Sequence, residues 1–334
     1  MNGHSTPRRA SAWLVLLIIV AMCMLACACG SGDEQTPAGS DAALPAGGSD
    51  AGTPAEATFP VTLTDDNGNS ATINAAPTRI VSTAPANTEI LFALGVGDRV
   101  VGVTSLCDYP PEVADLPKVG DYMVNAEAVM ALSPDLVVGY SGNEEGLTPV
   151  QESGAAVLIF NPSTIEGIYA NIATVGAATG ATSEAANLIA DIRAAIQQTA
   201  DAAATAGDSP GVFYILDTTL WTTGTGTFVD ELLALANAKN AAASDPEGAT
   251  VEDYYQCDPE RLVAADPDMI LLSGLGFPSL EDFTTDPRFA GLTAIAEGRV
   301  FVVDPEYDKL LTLPGARIAD GLKALVDIIH PGVL

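Results

Sequence analysis

Histidine and basic residues are scarce in this chain of 334 residues. Its two histidines, His4 and His330, lie at opposite ends, so they cannot form a histidine cluster for zinc or heme iron. The same scarcity argues against an enzyme with a histidine general base. Lysine and arginine number 13 against 43 acidic residues, a formal charge of −30, which repels nucleic acid and anionic lipid headgroups. The composition therefore disfavours a nucleic-acid binder, a zinc-site protein and a Ser-His-Asp hydrolase.

The common nucleotide-binding and hydrolase motifs are also missing. The glycine-containing run at residues 224–228 lacks the third glycine of a dinucleotide loop and the Gly-Lys-Ser/Thr of a phosphate loop. Neither Gly-x-Ser-x-Gly nor His-Glu-x-x-His occurs. A hydrolase with a pair of surface carboxylates stays open as an alternative, although no pattern points to one. We therefore expect no enzyme activity, no catalytic residue, no metal site and no resident cofactor.

An apolar run near the N-terminus predicts export. Residues 13–26 are almost wholly apolar and follow Arg8 and Arg9. The run is shorter than the roughly 20 residues that span a bilayer. Its length and basic flank are those of a signal-peptide core, so residues 1–26 are predicted to be a signal peptide.

The residues that follow this run predict a lipid anchor on a tether. The sequence Met-Leu-Ala-Cys at 24–27 resembles the lipobox of bacterial lipoproteins, which makes Cys27 the predicted lipidation site. Cys29, also preceded by alanine, is the alternative, as is an ordinary secreted protein without lipid. Residues 27–58 are rich in Gly, Ala, Ser, Asp, Pro and Thr and too poor in large apolar groups to offset the entropy of ordering. We expect a disordered tether there.

Apolar runs alternate with helical patterns from residue 59 onward, which predicts an α/β protein with parallel sheets and crossover helices. A hairpin with an Asn67-Gly68 turn opens this body. Strands are expected at residues 79–83, 100–103, 136–139, 157–160, 212–216, 269–272 and 300–303. Helices are expected at residues 89–94, 126–132, 228–236 and 260–265.

An internal repeat suggests two copies of one lobe. Residues 127–138 match residues 260–271 without a gap: each copy has a glutamate, a short helix, a Pro-Asp turn and a buried strand. Chance similarity is the alternative explanation. An alanine-rich stretch at 183–206 predicts one long helix of about 36 Å at 1.5 Å per residue. The expected domains are an N-terminal lobe at 59–182, a linker helix at 183–207 and a C-terminal lobe at 208–334.

Several motifs carry a resemblance to a known family. They are the run Thr-Ala-Pro-Ala-Asn-Thr-Glu within 79–95, Cys-Asp-Tyr-Pro-Pro-Glu within 101–112, Leu-Pro-Lys-Val-Gly at 116–120, and the segments 221–230, 257–262 and 313–317. Together they resemble the substrate-binding proteins of ABC importers for cobalamin, heme and iron–siderophore complexes. The resemblance implies a class III periplasmic binding protein fold, in which one long α-helix joins two α/β lobes with mainly parallel sheets.

Within this family the segment at 108–111 resembles cobalamin binders. The resemblance implies ligand contacts from the cleft at Tyr109, Tyr122, Trp221, Tyr254, Asp304 and Tyr307. A heme or ferric siderophore carries anionic groups that favour a basic cleft, whereas cobalamin is nearly neutral and broad-faced. Of the 11 basic residues after position 26, Lys309 and Arg317 fall in segments expected near the cleft. Cobalamin or another corrinoid is therefore the predicted ligand, with heme held by tyrosine or an iron complex as the alternative.

The resemblance also implies the partners. Glu127 and Glu260 occupy equivalent places in the two halves, where glutamates of the family dock onto permease arginines; alternatively, each acid only favours its helix N-terminus. The expected partners are an ABC transporter permease with its ATPase and a small-molecule metal chelate. We expect a monomer at the outer face of the cell membrane, with membrane contact through the lipid alone and no nucleic acid.

The two cysteines of the body leave one alternative open. Cys107 and Cys257 lie in motifs expected to border the cleft, one in each lobe. An exported protein can form disulfides, so these residues could be bridged or could remain free thiols. A bridge would lock the lobes together.

Overall fold

The structure is a computed structural model that describes residues 58–334 apart from Pro246. These residues belong to one compact unit. The predicted signal peptide, the lipidation site Cys27 with its alternative Cys29, and the tether up to residue 57 lie outside the described residues.

The N-terminal part begins with a hairpin and continues as an α/β lobe, here called the N-lobe. Its strands are β1 (Val61–Thr64), β2 (Ser70–Ile73), β3 (Ile80–Ser82), β4 (Val100–Val103), β5 (Leu136–Tyr140) and β6 (Ala156–Phe160). Its helices are α1 (Pro85–Ala93), α2 (Ala126–Ala131), α3 (Glu144–Glu152) and α4 (Ile165–Thr179). Strands β1 and β2 pair antiparallel, and a parallel sheet has the order β4-β3-β5-β6.

One long helix, α5 (Thr182–Ala203), follows the N-lobe and leads into the second lobe. Its buried side chains include Ile192 and Ile196, one turn apart on the apolar stripe that the sequence shows. The helix begins one residue before the expected stretch and ends at Ala203, where a turn at residues 204–205 follows. Helix α5 packs against α4 and against the C-terminal helix of the chain.

The second lobe, here called the C-lobe, contains β7 (Gly211–Ile215), β8 (Trp221–Thr223), β9 (Lys239–Asn240), β10 (Tyr254–Gln256), β11 (Met269–Leu272) and β12 (Val300–Val302). Its helices are α6 (Phe228–Leu235), α7 (Pro259–Ala265), α8 (Glu281–Thr284), α9 (Thr293–Ala296), α10 (Pro305–Thr312) and α11 (Ile318–Ile329). The sheet order is β10-β8-β7-β11-β12, with β9 also on β7. Strands β8 and β10 are antiparallel additions to a parallel sheet.

The parallel strands of the two lobes follow the same order. In the N-lobe this order is β4-β3-β5-β6, and in the C-lobe it is β9-β7-β11-β12. The repeated Pro-Asp turn has the same task in both lobes. Asp135 accepts hydrogen bonds from the backbone of Thr78 and Arg79 at the start of β3, and Asp268 accepts one from Gly211 at the start of β7. The repeat seen in the sequence is therefore a repeat of structure.

The central strands are apolar and buried, as a parallel sheet covered by helices requires. All four residues of β11 and the first four of β5 are buried. Helix α1 starts at Pro85, four residues before the predicted start at 89, because proline fits the first helical position, where its missing N–H costs nothing. Among the described residues, none of the helices combines the length and apolarity needed to cross a membrane.

Candidate functional site

A cavity of about 680 Å³ lies where the N-lobe faces the C-lobe. The N-lobe contributes loops at the carboxyl ends of its parallel strands, where ligands of open α/β sheets bind. The C-lobe contributes the residue Leu275 beyond β11 and one end of α10. The lining residues are Thr83, Ala84, Pro85, Ala86, Ser105, Leu106, Asp108, Asp121, Tyr122, Tyr140, Ser141, Gly142, Asn143, Leu275, Lys309, Thr312, Leu313 and Pro314.

The lobes approach each other closely at one side of this cavity. Gly315 of the C-lobe lies against Ala86 at the start of α1, where a Cβ atom on the glycine would be 3.3 Å from the Cα of Ala86. The neighbouring Arg317 donates to both carboxylate oxygens of Glu89 on α1. These contacts hold the loop of residues 313–317 against the N-lobe.

Tyr122 is the predicted ligand residue that lines the cavity directly. Its side chain is 80% exposed, in a loop closed by the bridge between Gly120 and Val124. Tyr109 follows the lining residue Asp108 and is 43% exposed. The guanidinium of Arg317 lies 3.8 Å from the centre of the Tyr109 ring, so this ring is fixed by a cation–π contact between the lobes.

Trp221 and Tyr254 lie on the paired strands β8 and β10 of the C-lobe. Trp221 pairs with Gln256, and Tyr254 pairs with Thr223, so the two aromatic side chains share one face of the ribbon as diagonal neighbours. Both are about 40% exposed (41% and 40%). Partial burial, and to a lesser degree the phenol of Tyr140, raises the pKa of Tyr254. Tyr140 lines the cavity from the N-lobe, whereas Tyr254 and Trp221 lie outside the lining.

Asp304 and Tyr307 lie outside the cavity lining. The Asp304 carboxylate caps α10 by accepting a hydrogen bond of 2.9 Å from the backbone N–H of Glu306. Tyr307 is 53% exposed on the same helix, within electrostatic range of Lys323 on α11. Their ligand contacts stay predictions, and the helix cap accounts for Asp304 without a ligand.

A buried carboxylate that the sequence did not single out positions α10 at the cavity. Asp308 is fully buried and accepts hydrogen bonds from the hydroxyl of Tyr214, from Ser273 Oγ at 2.6 Å and from the backbone N–H of Leu275 at 3.2 Å. Burial raises the pKa of Asp308, against the effect of these donors. The network joins α10 to β7 and to the end of β11, and so fixes Leu275 and Lys309 in the cavity wall.

The charged groups of the cavity lining are Asp108, Asp121 and Lys309. Lys309 Nζ lies 2.5 Å from Asp108 Oδ2 and 3.0 Å from Glu306 Oε1. Its hydrogen bonds to Asp108 and then to Glu306 raise the pKa of Lys309. The second basic residue expected near the cleft, Arg317, is paired with Glu89 and so is also neutralised.

The two predicted docking acids have matching positions. Glu127 is exposed in the first turn of α2, just before β5, and Glu260 is exposed in the first turn of α7, just before β11. Strands β5 and β11 are equivalent in the shared strand order. Asn125 and Asp258 cap the two helices by accepting backbone hydrogen bonds of 3.1 Å and 2.8 Å. Neither glutamate forms a salt bridge within the part of the chain that the structure describes.

Cys107 and Cys257 are free, so the bridge left open by the sequence is not formed. Both thiols are buried, but in different cores. Cys107 Sγ lies 3.2 Å and 3.3 Å from the hydroxyls of Thr88 and Thr104, whereas Cys257 Sγ donates to the carbonyl of Asp258. Within residues 58–334, Pro246 aside, no group of three His, Cys, Asp or Glu side chains could hold a metal ion.

Most of the remaining lining residues were missed by the sequence reasoning. Thr83 follows β3, Ser105 lies two residues after β4, and the segment 140–143 starts at the last residue of β5. Their positions at the ends of predicted parallel strands were the available signal. Leu275 lies three residues after β11 and carried the same signal, whereas Thr312 lies on α10, a helix that had not been predicted.

Two α/β lobes, one connecting helix and a cavity at the facing strand ends define a solute-binding protein of the class III type. The chain belongs to the periplasmic binding protein family, which it matches over residues 80–307. It is 35% identical over 283 residues to the uncharacterized ABC transporter substrate-binding lipoprotein YvrC of Bacillus subtilis, covering 82% of this chain and 86% of the relative.

Two further relatives differ in the ligand that their names state. The cobalamin-binding protein of Halobacterium salinarum is 30% identical over 284 residues, with 81% of this chain and 74% of the relative covered. The apo structure of the periplasmic heme-binding protein RhuT from Roseiflexus sp. RS-1 is 30% identical, with a TM-score of 0.68 and with 77% of this chain and 99% of that chain covered. The chain is therefore an extracytoplasmic solute-binding protein of an ABC importer and not an enzyme.

Proposed function

We propose that this protein captures a corrinoid, with cobalamin as the representative, in the cavity between its lobes and delivers it to an ABC importer permease. The observation that carries the proposal is the charge of the cavity lining. The lining holds two carboxylates, Asp108 and Asp121, and one ammonium, Lys309, which is already paired with Asp108. Such a lining suits a large ligand that presents amides and apolar faces, and it opposes one that presents carboxylates.

The aromatic side chains support the same ligand. Tyr122 lines the cavity from the N-lobe. In the C-lobe, Tyr254 lies within electrostatic range of the lining residue Tyr140, and Trp221 shares the strand face of Tyr254. Aromatic rings stack on flat conjugated surfaces at little cost in side-chain entropy. The cobalamin-binding relative from Halobacterium salinarum is consistent with this use of the site.

Heme is the second candidate because of one feature. The phenol of Tyr122 is 80% exposed at the cavity, and tyrosine is among the residues that ligate heme iron. The heme-binding relative RhuT shares the fold and 30% of its residues. The propionates of heme would then require a cation that is free to pair, and both nearby basic side chains are taken.

The test is a parallel binding assay. The purified protein in mild detergent is mixed with cyanocobalamin, hemin or a ferric siderophore and passed over a gel-filtration column. Co-elution of cyanocobalamin supports the proposal, whereas retention of hemin or the siderophore alone contradicts it. Tyr122→Ala should weaken cyanocobalamin binding, while Met123→Ala, equally exposed at 79% but outside the lining, serves as the matched control.

Two features support delivery of the ligand to the permease: the exposed glutamates at equivalent positions of the two lobes and the predicted lipid anchor. The equivalent positions of Glu127 and Glu260 support a partner that contacts both lobes together. A lipid on Cys27 and a tether of about 30 residues, which spans roughly 30 Å as a flexible coil, would keep the protein near that partner.

A further inference from the structure

The pair formed by Asp108 and Lys309 crosses from one lobe to the other inside the cavity. Asp108 lies in the N-lobe loop after β4, and Lys309 lies on α10 of the C-lobe, 201 positions later. Both residues line the cavity. An anionic group of a bound molecule that approaches Lys309 meets an ammonium whose charge is already neutralised by the Asp108 carboxylate.

Two carboxylates accept hydrogen bonds from the ammonium of Lys309. Asp108 Oδ2 and Glu306 Oε1 are both within hydrogen-bond distance, at 2.5 Å and 3.0 Å. The Lys309 side chain is 23% exposed, whereas that of Asp108 is 52% exposed. The ammonium is thus held against the wall while the carboxylate that holds it faces the open space.

The other carboxylate of the lining has no such task. Asp121 accepts a hydrogen bond of 2.9 Å from the backbone N–H of Met123 in its own loop and takes part in no ion pair among the described residues. Asp121 and Asp108 therefore add the same charge to the cavity, but of the two only Asp108 pairs with Lys309.

We propose that Asp108 determines the charge selectivity of the cavity. It pairs with Lys309, the one cation among the described lining residues, and so favours uncharged corrinoids over porphyrins that carry carboxylates. This inference rests on the proposed function and names the residue that sets its ligand class. When the Asp108 charge is removed, Glu306 is the remaining partner of Lys309. Glu306 is exposed and lies three residues away on the same helix. The ammonium can then turn toward a carboxylate in the cavity.

The test uses two probes with the same macrocycle: protoporphyrin IX, with its two propionates, and its uncharged dimethyl ester. Their binding is followed by porphyrin fluorescence. Asp108→Asn should raise the affinity for the dicarboxylate roughly tenfold, the scale of one charge-assisted hydrogen bond, and the affinity for the ester by much less. The gain should shrink as NaCl is added.

Two variants separate this explanation from a general change of charge. Asp121→Asn removes an equal charge from the lining without releasing Lys309 and should give a clearly smaller gain. The double variant Asp108→Asn/Lys309→Met should lose the gain, because the cation is gone. Equal gains for Asp108→Asn and Asp121→Asn, equal gains for both probes, or no gain at all would overturn the inference.

The outcome can be read apart from the proposed function. Cyanocobalamin binding by the unchanged protein is measured in the same series, and its absence contradicts the proposed function. The inference is decided by the ratio of the two porphyrin affinities in the variants, which does not involve cyanocobalamin.

Discussion

Arg317 of the C-lobe and Glu89 of the N-lobe form a two-pronged ion pair across the lobe interface. The guanidinium donates from Nε to Glu89 Oε2 at 3.0 Å and from its NH2 group to Oε1 at 2.5 Å. The Glu89 side chain is only 4% exposed. A buried carboxylate of this kind depends on its partner, because few water molecules can replace the lost hydrogen bonds.

We expect Arg317→Met to lower the free energy of unfolding by roughly 3 kcal/mol, since it leaves the Glu89 carboxylate buried and unpaired. Arg193→Met is the matched control: Arg193 also pairs with a glutamate, Glu166, and also lies over a tyrosine ring, but both partners of its ion pair are exposed. The control should cost less than about 1 kcal/mol. Urea unfolding measures both, and equal losses would contradict the role of burial.

A corrinoid bound in the cavity should quench the emission of Trp221, the one tryptophan of residues 58–334. Trp221 is 41% exposed and lies on the strand face shared with Tyr254. The quenching should saturate with a midpoint in the micromolar range or below. A micromolar midpoint corresponds to a binding free energy of about −8 kcal/mol. Tyr254→Phe should retain the quenching because the ring remains. Unchanged emission at a cyanocobalamin concentration that co-elutes with the protein would show that Trp221 lies away from the ligand.

Replacing Glu127 and Glu260 together with arginine should abolish uptake while cyanocobalamin binding in solution stays intact. The acids stand at equivalent helix starts outside the cavity lining, and reversed charge would oppose the permease arginines expected to receive them. The control, Glu184→Arg/Asp191→Arg, makes the same charge change at exposed positions of α5. Uptake at the unchanged rate in the first variant would leave both glutamates as helix-terminus acids.

The raised pKa values of five tyrosines predict that the protein loses stability in alkaline solution. Burial raises their pKa values, in Tyr255 to about 12; the others are Tyr140, Tyr169, Tyr214 and Tyr254. Since the folded-state pKa exceeds the value of about 10 in the unfolded chain, their contribution is complete below pH 10 or so and is lost as the pH rises through the folded-state value.

This prediction is checked by phenolate absorbance at 295 nm together with circular dichroism. The phenolate signal of these five tyrosines should appear together with unfolding, above pH 10 or so. Ionisation of all eight tyrosines near their ordinary pKa in a protein that remains folded would contradict it.

Lipidation is tested directly. Cys27→Ser should yield a precursor that takes up no labelled palmitate, because the thiol that receives the lipid is gone. Cys29→Ser should take up label as the unchanged chain does. The reverse pattern, with label lost only in the second variant, would move the anchor to Cys29.

The sequence predicted the parallel strands well because their signal is local. The runs at 100–103 and 269–272 coincide with β4 and β11, and the other five expected strands overlap the observed ones to within a residue or two at each end. The two-lobed class III fold with its single long helix is confirmed. An apolar run between turn residues is sufficient to identify a buried strand, whatever its partner.

Features that depend on contacts between distant segments of the chain could not be predicted from the sequence. Strands β8 and β10 have three residues each and exist because residues 221–223 meet 254–256. The ion pairs Glu89–Arg317 and Asp108–Lys309 join residues 228 and 201 positions apart. Helix α10 was not predicted because only its burial of Leu310 and Leu311 against the lobe distinguishes it from an exposed acidic segment. The placement of Asp304 as a helix cap follows from that helix.

The single crossing of the chain between the lobes bears on how the ligand is given up. One continuous helix, α5, makes this crossing. Among the described residues, no second segment of the chain connects the lobes as a flexible hinge. A rod of 22 residues, about 33 Å at 1.5 Å per residue, resists bending, so the free and loaded states should differ little in shape. Capture then spends little conformational entropy. For the same reason the molecule stores little elastic strain with which to expel its cargo, so the work of release must be done by the transporter to which it docks.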